Sequence, residues 1–333
     1  MAYIDVFNGD ADGICSLVQL RLAEPRSSAL ITGIKRNINL LTQVKPSNVD
    51  EITVLDISMQ KNRSDLLRVL DSGAKVFYAD HHNPGDIIQH PALEAHIDTS
   101  PSTCTALIVD RYLNGQFQLW AITAAFGDNL SQVAFKLAGE QRLSDGEISV
   151  IQELGIYLNY NGYGASLDDL FFHPADLYRA CVNHRTPFDF VERNQPVFQT
   201  LRDGYHHDLT LAGEEKPFYE TTSVAAFRLP AEKWARRVSG VFSNELSNES
   251  PDRAHVILTE KQGGDYLVSI RAPLKQLEGA DEIAGRFKTG GGRKGAAGIN
   301  TLKEDEIPLL IDLMEQRYGG DPSAGSGRKR RSE

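Results

Sequence analysis

Three apolar runs of strand length each lead into a group able to ligate a cation, and this repeated placement constrains the fold more than any other feature of the sequence. Residues 2–7 run into Asp10 and Asp12, residues 52–55 into Asp56, and residues 75–78 into Asp80-His81-His82. Helical patterns separate the runs: 13–22 places Ile14, Leu17, Val18 and Leu22 on one side, and 64–70 precedes the third strand. Alternating strand and helix up to about residue 139 predicts a parallel sheet with helices on both faces. Ligands of such sheets bind beyond the carboxyl ends of the strands, so the clusters should meet at one edge.

The residue types point to a metal. Hard divalent cations take carboxylate oxygen, and manganese also accepts imidazole nitrogen, so several Asp with His favour Mn2+, with Mg2+, Co2+ or iron less favoured. Asp10 and Asp12, two apart on extended backbone, should point the same way, one for each of two cations. The two oxygens of Asp56 suit a bridge between cations. Asp128, inside a helix expected over 121–137, would complete the second site. Each has a structural alternative: an Asp-x-Asp-Gly turn, a helix cap at Asp56, a cap or turn at Asp128.

The 333 residues exceed the usual single domain, and the apolar content suits a packed core. We expect a catalytic domain over 1–192 in an α/β fold, a connector over 193–214, a smaller α/β substrate-binding domain over 215–318 and a disordered basic tail over 319–333. The Asn/Gly/Tyr cluster at 159–164 is expected to be a turn. No apolar run is long enough to span a bilayer, and the start lacks a basic leader, so a cytoplasmic location is expected. Three cysteines without a C-x-x-C pair argue against a disulfide framework or structural zinc, and nucleophilic catalysis by Cys15 or Cys104 lacks an assigned base. A net charge of −10 disfavours a grip on long duplexes and fits small phosphorylated substrates better.

The stretch Asn8-Gly9-Asp10-Ala11-Asp12-Gly13, the lone Asp56, Asp80-His81-His82, Ser102-Thr103-Cys104 and Asp128 resemble, in order and spacing, the motifs of the DHH phosphoesterase superfamily. T-G-G-G-R-K-G-A-A-G at 289–298 resembles the glycine-rich loop of the DHH-associated C-terminal domain. The resemblance implies metal ligands Asp10, Asp12, Asp56, His81 and Asp128, with Asn8 beside them, and two Mn2+ ions. It implies a substrate-facing His82, an orienting Asp80, and a phosphate clamp of Gly290, Gly291, Gly292, Arg293 and Lys294, with Arg271, Ser102 and Thr103 also contacting substrate. The implied activity, in the nanoRNase or RecJ-like branch, is metal-dependent phosphodiesterase or exonuclease action on short oligonucleotides or nucleotides by a two-metal-activated water. The C-terminal domain would close over the substrate, and a homodimer is compatible with the family. Still open are a RecJ-like exonuclease on longer single strands with Tyr160, Tyr163, Tyr205, Phe171 and Phe172 as stacking platforms, a polyphosphate or nucleotide phosphatase, and a nucleotide-binding protein without turnover.

Three positions depart from the family pattern. Val6 stands where many members carry a histidine four residues before the first Asp, Asn8 where RecJ-like members have a further Asp, and Arg293 where a histidine is usual. Val6 cannot bind a cation, whereas Arg293 exchanges a titratable ring for a permanently charged fork suited to phosphate.

Overall fold

A computed structural model describes residues 2–47 and 49–319, which fall into two compact units divided between Tyr205 and His206. The basic segment 320–333 lies outside the described residues.

Unit 1 begins with β1 (Tyr3–Phe7), α1 (Ala11–Ala23), β2 (Ala29–Ile31), β3 (Glu51–Leu55), α2 (Arg63–Asp71), β4 (Lys75–Asp80) and β5 (Leu93–Ile97). The strands form one five-stranded parallel sheet in the order β2-β1-β3-β4-β5. Side chains alternate between its faces with the period of two that a strand imposes. Phe7, Leu55 and Ala79 pack toward α1, while their neighbours Val6, Val54 and Tyr78 pack with Leu66, Val69 and Leu70 of α2. A sheet buried on both faces explains why its strands read as continuous apolar runs. The chain leaves β1 for β2 on one side and returns to β3 on the other, so the order reverses between β1 and β3, the place where such sheets open a crevice at their carboxyl ends.

Helices complete the unit: α3 (Thr105–Tyr112), α4 (Gln118–Gly127), α5 (Ser131–Glu140), α6 (Asp145–Asn161), α7 (Pro174–Cys181) and α8 (Pro187–Arg193). The single helix expected over 121–137 is two, because the chain turns at Asp128, the C-cap of α4, and Asn129 takes a φ of 63°. Asp128 thus sits on a helix end, where its carboxylate is free to face away from the helix wall. The expected connector contains a regular helix, α9 (Gln195–Glu214), whose twenty residues run across the division between the units.

Unit 2 contains β6 (Tyr219–Glu220), β7 (Val224–Leu229), α10 (Lys233–Glu249), β8 (Ala254–Glu260), β9 (Tyr266–Arg271), α11 (Ala280–Ala284), β10 (Gly290–Arg293), β11 (Ala296–Leu302) and α12 (Ile307–Tyr318). Its six strands are ordered β10-β11-β9-β8-β7-β6, antiparallel except for β7 beside β8. One face packs on α10 through Phe227, Val238, Phe242 and Ile257, and the other on α11 and α12 through Val256, Ile270, Ile283 and Leu310. Near α10, a buried Arg237–Asp208 pair (2.7 and 2.9 Å) ties that helix to the end of α9.

Candidate metal centre

Each cluster sits at a strand end of unit 1. Asp10 follows β1 as the N-cap of α1, its Oδ1 accepting from the amides of Asp12 and Gly13 at 3.1 Å. Asp12 is therefore helical rather than extended, and it does not run parallel to Asp10 as expected. Its two oxygens accept at 2.7 Å from the amides of Thr105 and Ala106, the first residues of α3. A carboxylate is stabilised there by the helix dipole. The Asp12 and Gly13 amides in the first turn of α1 are thus occupied by Asp10. Gly13 is required by crowding, since a Cβ would lie 2.1 Å from the carbonyl oxygen of Asn8.

Asp56 ends β3 in the left-handed region, with φ 58°, and accepts a 3.3 Å hydrogen bond from the Thr105 hydroxyl. Such conformations are uncommon outside glycine and collect at functional sites. At the end of β4, Asp80 is fully buried, and its Oδ1 lies 2.7 Å from His82 Nδ1. The neighbouring ring is turned by backbone: His81 Nδ1 lies 3.2 Å from the carbonyl oxygen of Thr103. Donation to that carbonyl puts the proton on Nδ1 and leaves a lone pair on Nε2, the usual arrangement behind a metal-binding imidazole. That Nε2 lies 3.5 Å from Asp56, 3.8 Å from Asp12 and 3.9 Å from Asp128.

The donors fit a divalent cation. Two triplets, Asp12-His81-Asp128 and Asp56-His81-His82, each offer donor atoms that all lie within 4.8 Å of one another. Ligands about 2.1 Å from one small cation are at most about 4.2 Å apart, so the Nε2–oxygen distances lie within reach. The electrostatics carry the same message. Burial, then the charges of Asp12, Asp10, Asp128 and Asp80, push the Asp56 carboxyl well above its ordinary range. Burial and the Asp12 charge push Asp128 up to about 6 against the pull of Lys35 and His81. A cation removes that repulsion.

Lys35, which sequence reasoning did not single out, enters this cluster. Its Nζ lies 2.6 Å from Asp10 Oδ2, 3.5 Å from Asp128 Oδ1 and 2.9 Å from Asn159 Oδ1. Burial raises the Asp10 carboxyl, but the Lys35 ammonium outweighs it and holds the group below the ordinary carboxylate range. The 159–164 segment surrounds this lysine: its amide donates to the Gly162 carbonyl at 2.8 Å, and its Nζ lies 5.9 Å from the centre of the Tyr163 ring. The only sequence signal for Lys35 was indirect, since Val6 and Asn8 leave Asp10 short of partners. Asn8 is buried, donates to the Lys35 carbonyl at 3.3 Å and keeps an Oδ1 without a hydrogen-bond partner.

Ser102 is exposed and contacts Ser100, while Thr103 is buried, its hydroxyl accepting from Arg111. Cys15 and Cys104 are wholly buried with their thiols pushed up by burial, so neither is poised as a nucleophile. Tyr160 is core, and its ring packs on those of Tyr205 and Phe171. In unit 2 the glycine loop is a β-hairpin, β10 against β11, turning at Lys294-Gly295. Gly292, with φ 152°, admits β11, because a Cβ would lie 2.4 Å from the Ala297 Cα. Arg293 pairs with Ala296, which pairs with Arg271 of β9, so both arginines belong to one row across the sheet. Arg293 is exposed, and Arg271 donates to Asn244 at 2.9 Å.

Residues 221–320 match the DHHA1 domain family. The structure is similar to that of an exonuclease RecJ bound to manganese, with 13% identity, a TM-score of 0.61, and 96% of this chain and 91% of that chain covered. It is also similar to RecJ in complex with Mn2+ from Thermus thermophilus (15% identity, TM-score 0.55, 96% and 52% covered). A third match is the pGpG-specific phosphodiesterase PggH from Vibrio cholerae (13% identity, TM-score 0.53, 95% and 98% covered). These likenesses show a common fold. A comparison with curated protein sequences gives no significant match.

Proposed function

We propose that this chain is a member of the DHH phosphoesterase superfamily with a C-terminal DHHA1 domain, and a divalent-cation-dependent phosphodiesterase that hydrolyses short oligonucleotides or dinucleotides. The observation that carries the reading is the fan of Asp12, Asp56 and Asp128 around an imidazole nitrogen whose partner nitrogen is fixed by the Thr103 carbonyl. Asp12, Asp56, His81 and Asp128 would hold the cation, with manganese favoured by the mixture of oxygen and nitrogen donors. A bound cation there supplies charge neutralisation at the phosphoryl oxygens and acidifies a water.

The protein's own groups do the rest. Asp80 accepts from His82 Nδ1, which raises the affinity of that ring for a proton. With its side chain 44% exposed, His82 can present Nε2–H to a phosphoryl oxygen or to the leaving oxygen. Thr105 holds Asp56 by its hydroxyl and Asp12 by its amide, so two carboxylates keep their aim without substrate. Within unit 2, Arg293 and Arg271 would bind an anion, since their planar guanidinium groups suit phosphate. The acidic total favours short substrates over long strands.

The test is a panel of short RNAs, short DNAs, cyclic dinucleotides, phosphoadenosine phosphate and polyphosphate, incubated with Mn2+ and wild-type or Asp56→Ala protein. Release of mononucleotides by the wild type alone supports the proposal. Tight binding without any product would identify a non-hydrolysing nucleotide binder instead.

A further inference from the structure

Building on the hydrolase reading, we propose that the Lys35 ammonium permanently fills the position of one of the two cations, so that the centre takes a single divalent ion. The ammonium bridges Asp10 and Asp128, as a cation would, at 2.6 and 3.5 Å, and its third partner is the Asn159 carbonyl oxygen at 2.9 Å. Three acceptors match the three donors of an ammonium. The lysine is also pinned through its backbone, donating to Gly162 and accepting from the Asn8 side chain. With 28% of its side chain exposed, it is part of the wall of the site, not a free surface charge.

The rest of that position is poor in metal donors. Val6 is fully buried among Leu40, Leu41 and Val54 and offers no ligand, and Asn8 is neutral. Among the described residues, Asp10 belongs to neither of the donor triplets whose atoms lie within 4.8 Å of one another. A second divalent ion would have to take Asp10 from Lys35 and then sit beside a displaced ammonium, with like charges a few ångströms apart. Asp128 divides between the two positions: Oδ1 faces Lys35 and Oδ2 faces His81. The lysine therefore provides a fixed positive charge next to a single exchangeable one.

Mn2+ titration by calorimetry, paired with electron paramagnetic resonance of the loaded protein, decides the matter. The wild type is expected to bind about one Mn2+ per chain with the hyperfine pattern of isolated ions, whereas Lys35→Met, similar in length but uncharged, should take about two with the exchange-coupled spectrum of neighbouring ions. Lys35→Arg keeps the charge and should stay at about one. Circular dichroism confirms that the variants fold, and Lys35→Gln substitutes if the methionine variant does not. A wild-type chain that takes two coupled ions would overturn the inference and leave the hydrolase reading standing, as would an uncharged, folded variant still limited to one. Absence of Mn2+ binding in every chain would remove both.

Discussion

The ionisable groups of unit 1 hold one another in place, whereas the arginine on the hairpin of unit 2 stands in solvent. Asp10, Asp12, Asp56 and Asp80 are each at most 2% exposed and take part in hydrogen bonds to backbone amides, a hydroxyl or a ring nitrogen. Arg293 is exposed on a short strand whose neighbours are glycines. Under the proposed hydrolysis the difference would separate two tasks. Chemistry needs charges fixed before the substrate arrives, because electrostatic stabilisation comes from groups that need not reorganise. Binding of a flexible anion tolerates a long guanidinium that orders on contact and gains from a backbone without side chains in the way.

Substitutions can break this contrast. Asp56→Ala removes a ligand of the cation and the acceptor of the Thr105 hydroxyl, and turnover should fall by about a thousandfold or more while nucleotide binding in chelator changes little. If activity survives, the carboxylate fan is not the reaction centre. His82→Ala should cost about a hundredfold in kcat with KM nearly constant, the signature of a group used in the transition state. Asp80→Asn should move the same parameter in the same direction by less, and it should lower the pKa that the ring shows by NMR titration, since the carboxylate is the main cause of its upward shift. Arg293→Ala should instead raise KM about tenfold with kcat almost unchanged. A kcat collapse there would place the hairpin in the chemistry and erase the distinction between the regions.

The smallest effect concerns stability. Asp128 has its pKa raised to about 6 in the metal-free fold, so the folded state binds that proton more tightly than the unfolded one. Stability contributed by this group is full below the ordinary carboxyl range and is lost as pH rises toward 6. In chelator, Asp128→Asn should therefore melt a few degrees above the wild type at pH 7, about the shift expected of roughly 1 kcal/mol, with the gap closing toward pH 3. Added Mn2+ should reverse the order, because only the wild type keeps the ligand.

Much of this was legible along the chain. The strand runs ending in Asp56 and Asp80 and the parallel sheet follow from local patterning, since a strand buried on both faces must be apolar throughout. The breadth of the site was legible too, because a parallel sheet brings successive strand ends to the same edge. What the spacing could not convey was direction. Asp10 and Asp12 look equivalent in sequence, yet one caps its own helix and the other reaches another helix ninety-three residues on. Nor does local patterning locate the break at Asp128, where Asn129 leaves the helical region, or show that the glycine stretch is a paired hairpin.

By itself, then, the sequence determined the sheet, the edge on which the acids gather and the cation chemistry of their side chains, all consequences of short-range periodicity and residue type. Only the tertiary structure decided how those charges are shared. Lys35 reaches Asp10 across twenty-five positions, and Asn159 reaches Lys35 across one hundred and twenty-four, through loops whose order in the chain says nothing about their distance in space. Coulombic pairing depends on that distance, and the fold alone supplies it.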